Sequence, residues 1–160
     1  MSAPAALERR FISSNPTATR ELAASLAAAA RPGDLICLRG ELGAGKTQFA
    51  KGFGAGLGVT DTINSPSYIL MAEYTGRLPL FHIDLYRLAD ASDALAGGLL
   101  DERQASGVTL VEWPERMTEL LPAARIDVSI ESEPGDRTDT RGITIRALDP
   151  SLNRYLEVIT

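Results

Sequence analysis

The segment from Gly40 to Thr47 carries residue types whose spacing suits phosphate chemistry. It reads Gly-Glu-Leu-Gly-Ala-Gly-Lys-Thr and matches the phosphate-loop pattern G-x-x-x-x-G-K-S/T at every fixed position. Its glycines permit positive φ and let backbone N–H groups approach phosphate oxygens, and the following helix adds partial positive charge at the same point. Lys46 places a charge on the β and γ phosphates, and the Thr47 hydroxyl is a ligand for Mg²⁺. We expect the following residues to bind the nucleotide: Glu41, Leu42, Gly43, Ala44, Gly45, Lys46, Thr47 and Gln48.

A phosphate loop also needs an acidic side chain at the end of a neighbouring strand, where it holds Mg²⁺ or the water molecules around it. Two acids of this sequence meet that description. Glu112 follows the β-type run Val108 to Val111, and Asp84 follows the run Leu80 to Ile83. Either acid suits the metal on these grounds, and an ordinary solvated carboxylate is the alternative for each.

Two serines lie between the expected loop helix and the next strand, in the segment Asn64 to Tyr68. In many phosphate-loop proteins a switch loop at this position meets the metal and the γ-phosphate. The hydroxyls of Ser65 and Ser67 suit that role. Because Asn, Ser and Pro are all turn residues, a plain turn is an equally good interpretation of the local sequence.

Two residue types that occur once stand beside the candidate acids. Trp113, the only tryptophan, follows Glu112, and packing in the core is a better interpretation of it than stacking on a base. His82, the only histidine, alternates with apolar neighbours on an expected strand, which favours a structural role. With one histidine and one cysteine, Cys37, the sequence excludes multi-His metal sites, Cys-based zinc sites and intrachain disulfides.

The nucleobase is constrained by what the sequence lacks. A GTP-binding protein normally carries an Asn-Lys-x-Asp segment that reads guanine, whereas the asparagines here precede Pro16, Ser65 and Arg154. We therefore expect adenine nucleotides, ATP and ADP, together with Mg²⁺. The glycines from Gly52 to Gly58 resemble a dinucleotide fingerprint, but they lack its final spacing and its preceding strand.

The elements around these residues predict an α/β fold. Leu35 to Leu38 is a continuous apolar run typical of a strand covered on both faces, and it leads through the loop into the helix-like segment Gln48 to Leu57. Further expected strands lie at Glu8–Ile12, Tyr68–Tyr74, Leu78–Asp84, Val108–Val111, Ile126–Ile130 and Ile143–Leu148. Further expected helices are the Ala- and Leu-rich run that ends at Ala30, preceded by capping side chains at Asn15 to Thr17, and the segment Asp90–Leu100. They predict a single P-loop NTPase domain over residues 1–160, with a mostly parallel central sheet flanked by helices and a C-terminal edge hairpin.

Composition agrees with one globular domain. The chain has 160 residues, of which 44% are hydrophobic and 23% charged. A net charge of −5 argues against a broad basic face for nucleic acid, so an anionic ligand must be bound locally. Because no disulfide can form and no apolar run is long enough to span a bilayer, we expect a soluble, cytoplasmic protein.

Four segments together resemble one protein family: Gly40 to Thr47, Ser65 to Tyr68, His82 to Leu88 and Leu110 to Glu115. The sequence is similar to the TsaE family, also called YjeE, in the order and spacing of these motifs over residues 33–122. The Val-Glu-Trp-Pro segment beside a phosphate loop is more specific than the loop itself. Members of that family are small bacterial ATPases required to form threonylcarbamoyladenosine (t6A) next to the anticodon of tRNAs that read codons beginning with adenine.

The resemblance implies a role for individual residues. Lys46 and the loop backbone hold phosphates, Thr47 and Glu112 bind Mg²⁺, and Asp84 is needed for hydrolysis. It also implies that the protein acts with TsaB and TsaD and meets tRNA only indirectly.

Two further motifs enter through the resemblance. Ser65 and Ser67 correspond to the switch loop, and Trp113 corresponds to a tryptophan near the nucleotide. The family commonly has Ser-Pro-Thr-Tyr where this chain has Ser-Pro-Ser-Tyr, so Ser67 keeps the hydroxyl and lacks a methyl group.

Two other functions compete with a t6A ATPase. A small-molecule kinase would need an acceptor pocket and a mobile lid, usually with several arginines, and no such segment is obvious. A nucleotide-controlled interaction module would use its ATP state only to set the affinity for a partner. Because no arginine stands obviously at a catalytic motif, we expect a slow ATPase that depends on a partner.

Overall fold

The computed structural model describes residues 7–41, 43–64, 71–86, 105–115, 118, 121–133 and 139–159. The strands are β1 (Leu7–Ser13), β2 (Leu35–Arg39), β3 (Met71–Tyr74), β4 (Leu80–Asp84), β5 (Val108–Glu112), β6 (Ile126–Ser132) and β7 (Arg141–Ala147). The helices are α1 (Pro16–Ala27), α2 (Lys46–Gly56) and α3 (Arg154–Glu157), with a 3-10 turn at Pro150–Leu152. The helix expected at Asp90–Leu100 lies outside the described residues. None of the described helices combines the length and the apolar character that crossing a membrane requires.

All the described strands lie in one sheet, in the order β1-β7-β6-β2-β5-β4-β3. The four central strands, β6, β2, β5 and β4, are parallel to one another. The outer pairs, β1 with β7, β7 with β6, and β4 with β3, are antiparallel. The expectation of a mostly parallel sheet is therefore wrong, because three of the described pairings are parallel and three are antiparallel.

The antiparallel pairs follow from short connections and alternating patterns. The turn between β3 and β4 is too short for a crossover, which leaves only the antiparallel arrangement. The β6–β7 pair confirms the predicted C-terminal hairpin, with Val128 opposite Ile145. Its position at the edge was wrong, because β1 pairs with the outer side of β7 and places Phe11 opposite Ile143.

The helices α1 and α2 cover one face of the sheet. Asn15 caps α1, since its side chain accepts a hydrogen bond of 2.8 Å from the Ala18 N–H. The two helices approach closely: a Cβ atom at Gly52 would lie 2.1 Å from the Arg20 carbonyl oxygen, and one at Gly56 would lie 2.5 Å from the Ala24 carbonyl oxygen. The glycines of α2 therefore serve helix packing, with backbone against backbone.

The opposite face of the sheet carries a smaller apolar cluster. It contains Leu35, Cys37, Ile83, Leu85 and Val111, with Trp113 packed against its rim. Burial raises the pKa of the Cys37 thiol to about 12, so the only cysteine is unreactive at neutral pH.

A partly buried carboxylate just before β2 fixes the C-terminal helix to the sheet. Asp34 Oδ2 accepts hydrogen bonds from the Arg154 guanidinium, from the Tyr155 hydroxyl at 2.5 Å and from the Arg31 N–H at 2.9 Å. Burial, and then the bond to Asp34, raise the pKa of Tyr155 well above its usual range. We call Asp34, Arg154 and Tyr155 the anchor cluster.

Candidate functional site

The glycine-rich loop lies where β2 ends at the middle of the sheet and α2 begins. Gly45 precedes α2 with φ +115°, a conformation that side chains rarely adopt. A Cβ atom at Gly40 would lie 2.6 Å from the Ile130 carbonyl oxygen, so only glycine fits there. The first turn of α2 contains no acidic residue. The loop therefore brings an uncompensated helix N-terminus to the carboxyl ends of the parallel strands, an arrangement that suits an anion.

Lys46 is buried at the centre of this loop. Its Nζ donates a hydrogen bond of 2.6 Å to the Gly40 carbonyl and lies 3.9 Å from the centroid of the Trp113 ring. Burial lowers the pKa of Lys46, and nearby acids, above all Glu112 and then Asp84, oppose that shift. The ammonium thus sits in a poorly solvated place and is held by uncharged partners, which an anionic phosphate would replace with a charged one.

The two candidate acids stand side by side. Asp84 on β4 and Glu112 on β5 are in register on adjacent parallel strands. Glu112 is only 3% exposed and its Oε2 lies 2.6 Å from the Nε2 atom of His82. Asp84 is half-buried, and its Oδ1 accepts a hydrogen bond of 2.9 Å from the Tyr86 N–H. The sheet therefore brings both acids to the same end as Lys46, one enclosed and one at the rim.

Trp113 both packs and faces the site. It is half-buried against the smaller apolar cluster, as its expected role in packing requires, and its ring also covers the Lys46 ammonium. Its ring centroid lies 5.1 Å from that of the exposed Tyr86. Trp113 has φ +59°, and among the described residues it is the only non-glycine residue with positive φ. Strained backbone of this kind persists where the surrounding structure enforces it, often at functional sites.

Two cavities flank the loop. A cleft of about 550 Å³ is lined by Gly40, Glu41, Gly43, Ala44, Trp113, Glu115, Ile130, Glu131 and Ser132. A smaller cavity of about 120 Å³ is lined by Pro16, Thr19, Gly43, Ala44, Gly45, Gln48, Asp139 and Arg141. The larger one is in the range of small-molecule sites. Most of the loop residues predicted to bind a nucleotide thus face open space on one side or the other.

Arg141 belongs to the site and was missed by the sequence analysis. Arg141 lies at the start of β7. Its Nε donates a hydrogen bond of 3.1 Å to the Ala44 carbonyl, and its Nη2 donates one of 3.4 Å to the Gly43 carbonyl. Gln48 also has a protein partner, because its Oε1 accepts a hydrogen bond of 2.5 Å from the Arg20 guanidinium on α1. No local pattern marks Arg141, since only the order of strands in the sheet brings β7 to the loop.

Three predicted residues, Leu42, Ser65 and Ser67, lie outside the described residues. Glu41 is exposed at the loop, and Thr47 is half-buried in the first turn of α2.

The oxygen donors present at the loop suit Mg²⁺. Within the part of the chain that the structure describes, no group of three or more His, Cys, Asp or Glu side chains is arranged to hold a metal ion. Mg²⁺ commonly takes only one or two protein oxygens and shares phosphate oxygens for the rest. The Thr47 hydroxyl and the Glu112 carboxylate are donors of that kind, so these residues fit a nucleotide-borne Mg²⁺ and do not fit a resident, all-protein metal site.

The fold and the site define a mixed α/β protein with a glycine-rich loop at the carboxyl ends of its parallel strands. A family model described as "Threonylcarbamoyl adenosine biosynthesis protein TsaE" matches residues 13–142. The chain belongs to the TsaE family, whose members are named for the biosynthesis of threonylcarbamoyladenosine in tRNA, and the family resemblance of the sequence is thereby confirmed.

Individual relatives agree over most of the chain. The "tRNA threonylcarbamoyladenosine biosynthesis protein TsaE" of Bacillus subtilis is 46% identical over 142 residues, which are 88% of this chain and 85% of that protein. The protein of the same name from Streptomyces coelicolor is 38% identical over 133 residues, covering 81% and 90%. The crystal structure of Bacillus subtilis YdiB superposes with a TM-score of 0.75 at 38% identity, covering 98% of this chain and 94% of that one.

Proposed function

We propose that the protein is a Mg²⁺-dependent P-loop ATPase that acts with TsaB and TsaD in the formation of t6A in tRNA. The observation that carries this proposal is the arrangement around Lys46. A buried ammonium at a helix N-terminus faces two acids in register, and its hydrogen-bond partner in the structure is a loop carbonyl. Membership of the TsaE family connects that chemistry to t6A.

Each site residue that the structure describes has a proposed role in hydrolysis. The loop N–H groups and the start of α2 bind the phosphates, and Lys46 exchanges the Gly40 carbonyl for the β and γ phosphate oxygens. Thr47 and Glu112 would hold Mg²⁺, which neutralises charge on the phosphates when it is bound. Asp84, at the more accessible rim, orients the attacking water and accepts its hydrogen bond. Adenine is the expected base, because the guanine-reading segment is absent from the sequence.

Slow turnover in isolation is part of the proposal. Two described arginines near the loop already have protein partners: Arg141 donates to the loop carbonyls, and Arg39 pairs with Glu115 at 3.3 Å and Asp127 at 3.6 Å. An arginine that neutralises the transferring phosphoryl group accelerates such reactions by roughly 10³- to 10⁵-fold when it is supplied in trans. We therefore assign that acceleration to a partner protein.

The proposal is tested by measuring ATP hydrolysis by the pure protein, in single-turnover and steady-state assays, with and without TsaB, TsaD and tRNA. We expect slow hydrolysis alone and faster hydrolysis with the partners. Rapid turnover by the protein alone, unaltered by the partners, would favour a self-sufficient enzyme such as a kinase. Full t6A formation with a non-hydrolysable ATP analogue would instead favour an interaction module. Calorimetry with ATP and GTP tests the base, and equal or tighter binding of GTP would contradict adenine.

A further inference from the structure

His82 is enclosed on the face of the sheet that carries both acids. None of the residue is exposed, and it lies two positions before Asp84 on β4, so the two side chains share one face. Its Nε2 atom is 2.6 Å from Glu112 Oε2, and the Glu112 side chain is 4% exposed. His82 and Glu112 therefore form a buried pair immediately beneath the site.

The hydrogen bond of this pair has a direction. A carboxylate accepts hydrogen bonds, so Nε2 of His82 is the donor and Glu112 Oε2 is the acceptor. Nδ1 is buried and has no hydrogen-bond partner among the described residues. A buried polar atom without a partner costs free energy, so an apolar side chain would serve packing better at this position. The hydrogen bond to Glu112 is the interaction that a histidine makes at this position and an apolar side chain could not make.

We propose that His82 is a positioning residue for Glu112. Its Nε2–H holds Glu112 Oε2 and fixes the orientation of the carboxylate, whose other oxygen would then be the one to hold Mg²⁺. The inference rests on the proposed function, because it takes Glu112 as a ligand of the nucleotide-borne metal. Partners that orient a metal ligand in this way typically change metal affinity by about 10- to 100-fold when they are removed.

Two variants separate positioning from packing. His82→Phe keeps a planar aromatic ring and removes the donor, whereas His82→Gln keeps a side-chain N–H that can reach the carboxylate. Thr109→Val is the matched control, because Thr109 is a buried polar residue on β5 three positions before Glu112. The affinity for ADP is measured by calorimetry without metal and with Mg²⁺, and Mn²⁺ binding to the ADP complex is measured by electron paramagnetic resonance.

We expect His82→Phe to bind ADP without metal as the unmodified protein does, and to bind Mn²⁺ about 10- to 100-fold more weakly. His82→Gln recovers most of that loss, and Thr109→Val shows none. Unchanged Mn²⁺ affinity in His82→Phe would overturn the inference while the proposed function stands. Failure of the unmodified protein to bind ADP more tightly with Mg²⁺ would overturn both.

A second measurement needs no change at His82. Because the chain has one histidine, ¹⁵N labelling of histidine gives ring signals that belong to His82 alone. We expect an Nε2 atom that carries a hydrogen, and a shift of the Nε2 signal when Mg²⁺ is added to the ADP complex but no such shift in Glu112→Gln. An Nε2 signal that ignores Mg²⁺ in the unmodified protein would contradict the proposed link, even if His82→Phe does not fold.

Discussion

The charged groups at the two ends of the parallel strands differ in how completely the protein provides them with hydrogen-bond partners. At the amino end of β2, Asp34 of the anchor cluster accepts three hydrogen bonds, two of them from side chains of α3. At the carboxyl ends, Lys46 is held by a loop carbonyl and an indole face, and one ring nitrogen of His82 has no hydrogen-bond partner within the described part of the chain. The anchor cluster has its hydrogen-bond partners within the protein, whereas the groups around Lys46 do not have all of theirs.

The difference separates structural from functional polar groups. A buried network whose members are all satisfied stabilises one arrangement of the chain. A buried cation that is held only by a neutral carbonyl and an aromatic ring carries a free-energy cost that an anionic ligand would remove. Changes at the anchor cluster should therefore alter stability, and changes around Lys46 should alter binding and turnover.

The largest effect is expected from Asp84→Asn. Asparagine keeps the oxygen that accepts from the Tyr86 N–H, so the turn after β4 survives, but the negative charge at the site is lost. Turnover with the partner proteins should fall by about 10²- to 10⁴-fold while the affinity for ADP changes little. Single-turnover hydrolysis and calorimetry measure the two quantities. Asp61→Asn, at an exposed position, is the control, and a loss of ADP affinity in Asp84→Asn would assign Asp84 to the metal instead.

Asp34→Ala should have the largest effect on stability. It leaves the Arg154 guanidinium and the Tyr155 hydroxyl partly buried without their shared acceptor. The free energy of unfolding should fall by about 3 kcal/mol, with nucleotide affinity unchanged in the folded protein. Urea denaturation checks the first value, with Glu157→Ala on the exposed side of α3 as the control. Loss of ADP binding by a protein that is still folded would erase the contrast between the two ends.

Lys46→Ala should have the opposite pattern to Asp34→Ala: nucleotide affinity should fall and stability should not. Charge-assisted contacts of this kind contribute about 1.5–3 kcal/mol, so ATP affinity should fall roughly 10- to 150-fold. The free energy of unfolding should stay the same or rise, because a poorly solvated ammonium is removed. Lys51→Ala, which removes the other lysine of the sequence, is the matched control for calorimetry and urea denaturation. ATP affinity that is the same in both variants would be incompatible with the site.

The smallest effect is expected from Tyr155→Phe, and it depends on pH. Burial raises the pKa of Tyr155 in the folded protein, so above about pH 10 the unfolded chain binds fewer protons than the folded one. The free energy of unfolding should then fall with rising pH, by up to about 1.4 kcal/mol per pH unit from this group. Tyr155→Phe should lower the free energy of unfolding by about 1 kcal/mol at neutral pH. Above pH 10 the free energy of unfolding of this variant should fall less steeply than that of the unmodified protein. Equal slopes for the two proteins would show that Tyr155 ionises normally.

The sequence was sufficient for features that local patterns encode. The strand, glycine-rich loop and helix around Gly40 to Thr47, the buried strands β2 and β5 and the β6–β7 hairpin were all predicted, because fixed glycine spacing, apolar runs and alternation are properties of neighbouring residues. The ends of elements were less certain. Helix α1 ends at Ala27 rather than at Ala30, where the residues form a turn instead.

Features that depend on the order of strands could not be predicted in this way. The pairing of β1 outside β7 made the sheet half antiparallel, and it joins residues from opposite ends of the chain. The same holds for Arg141 at the loop and for the bond of Asp34 to Arg154. Each pair is distant in sequence, and nothing in either local segment specifies its partner.

The close contact of α2 with α1 at Gly52 and Gly56 has a mechanical consequence. Where two backbones touch, one helix cannot slide along the other without forcing main-chain atoms together. The two helices therefore move as one stiff body, and Lys46 and Thr47 form the start of that body. A displacement of the first turn of α2 would therefore be transmitted through main-chain contacts to the solvent-facing side of α1.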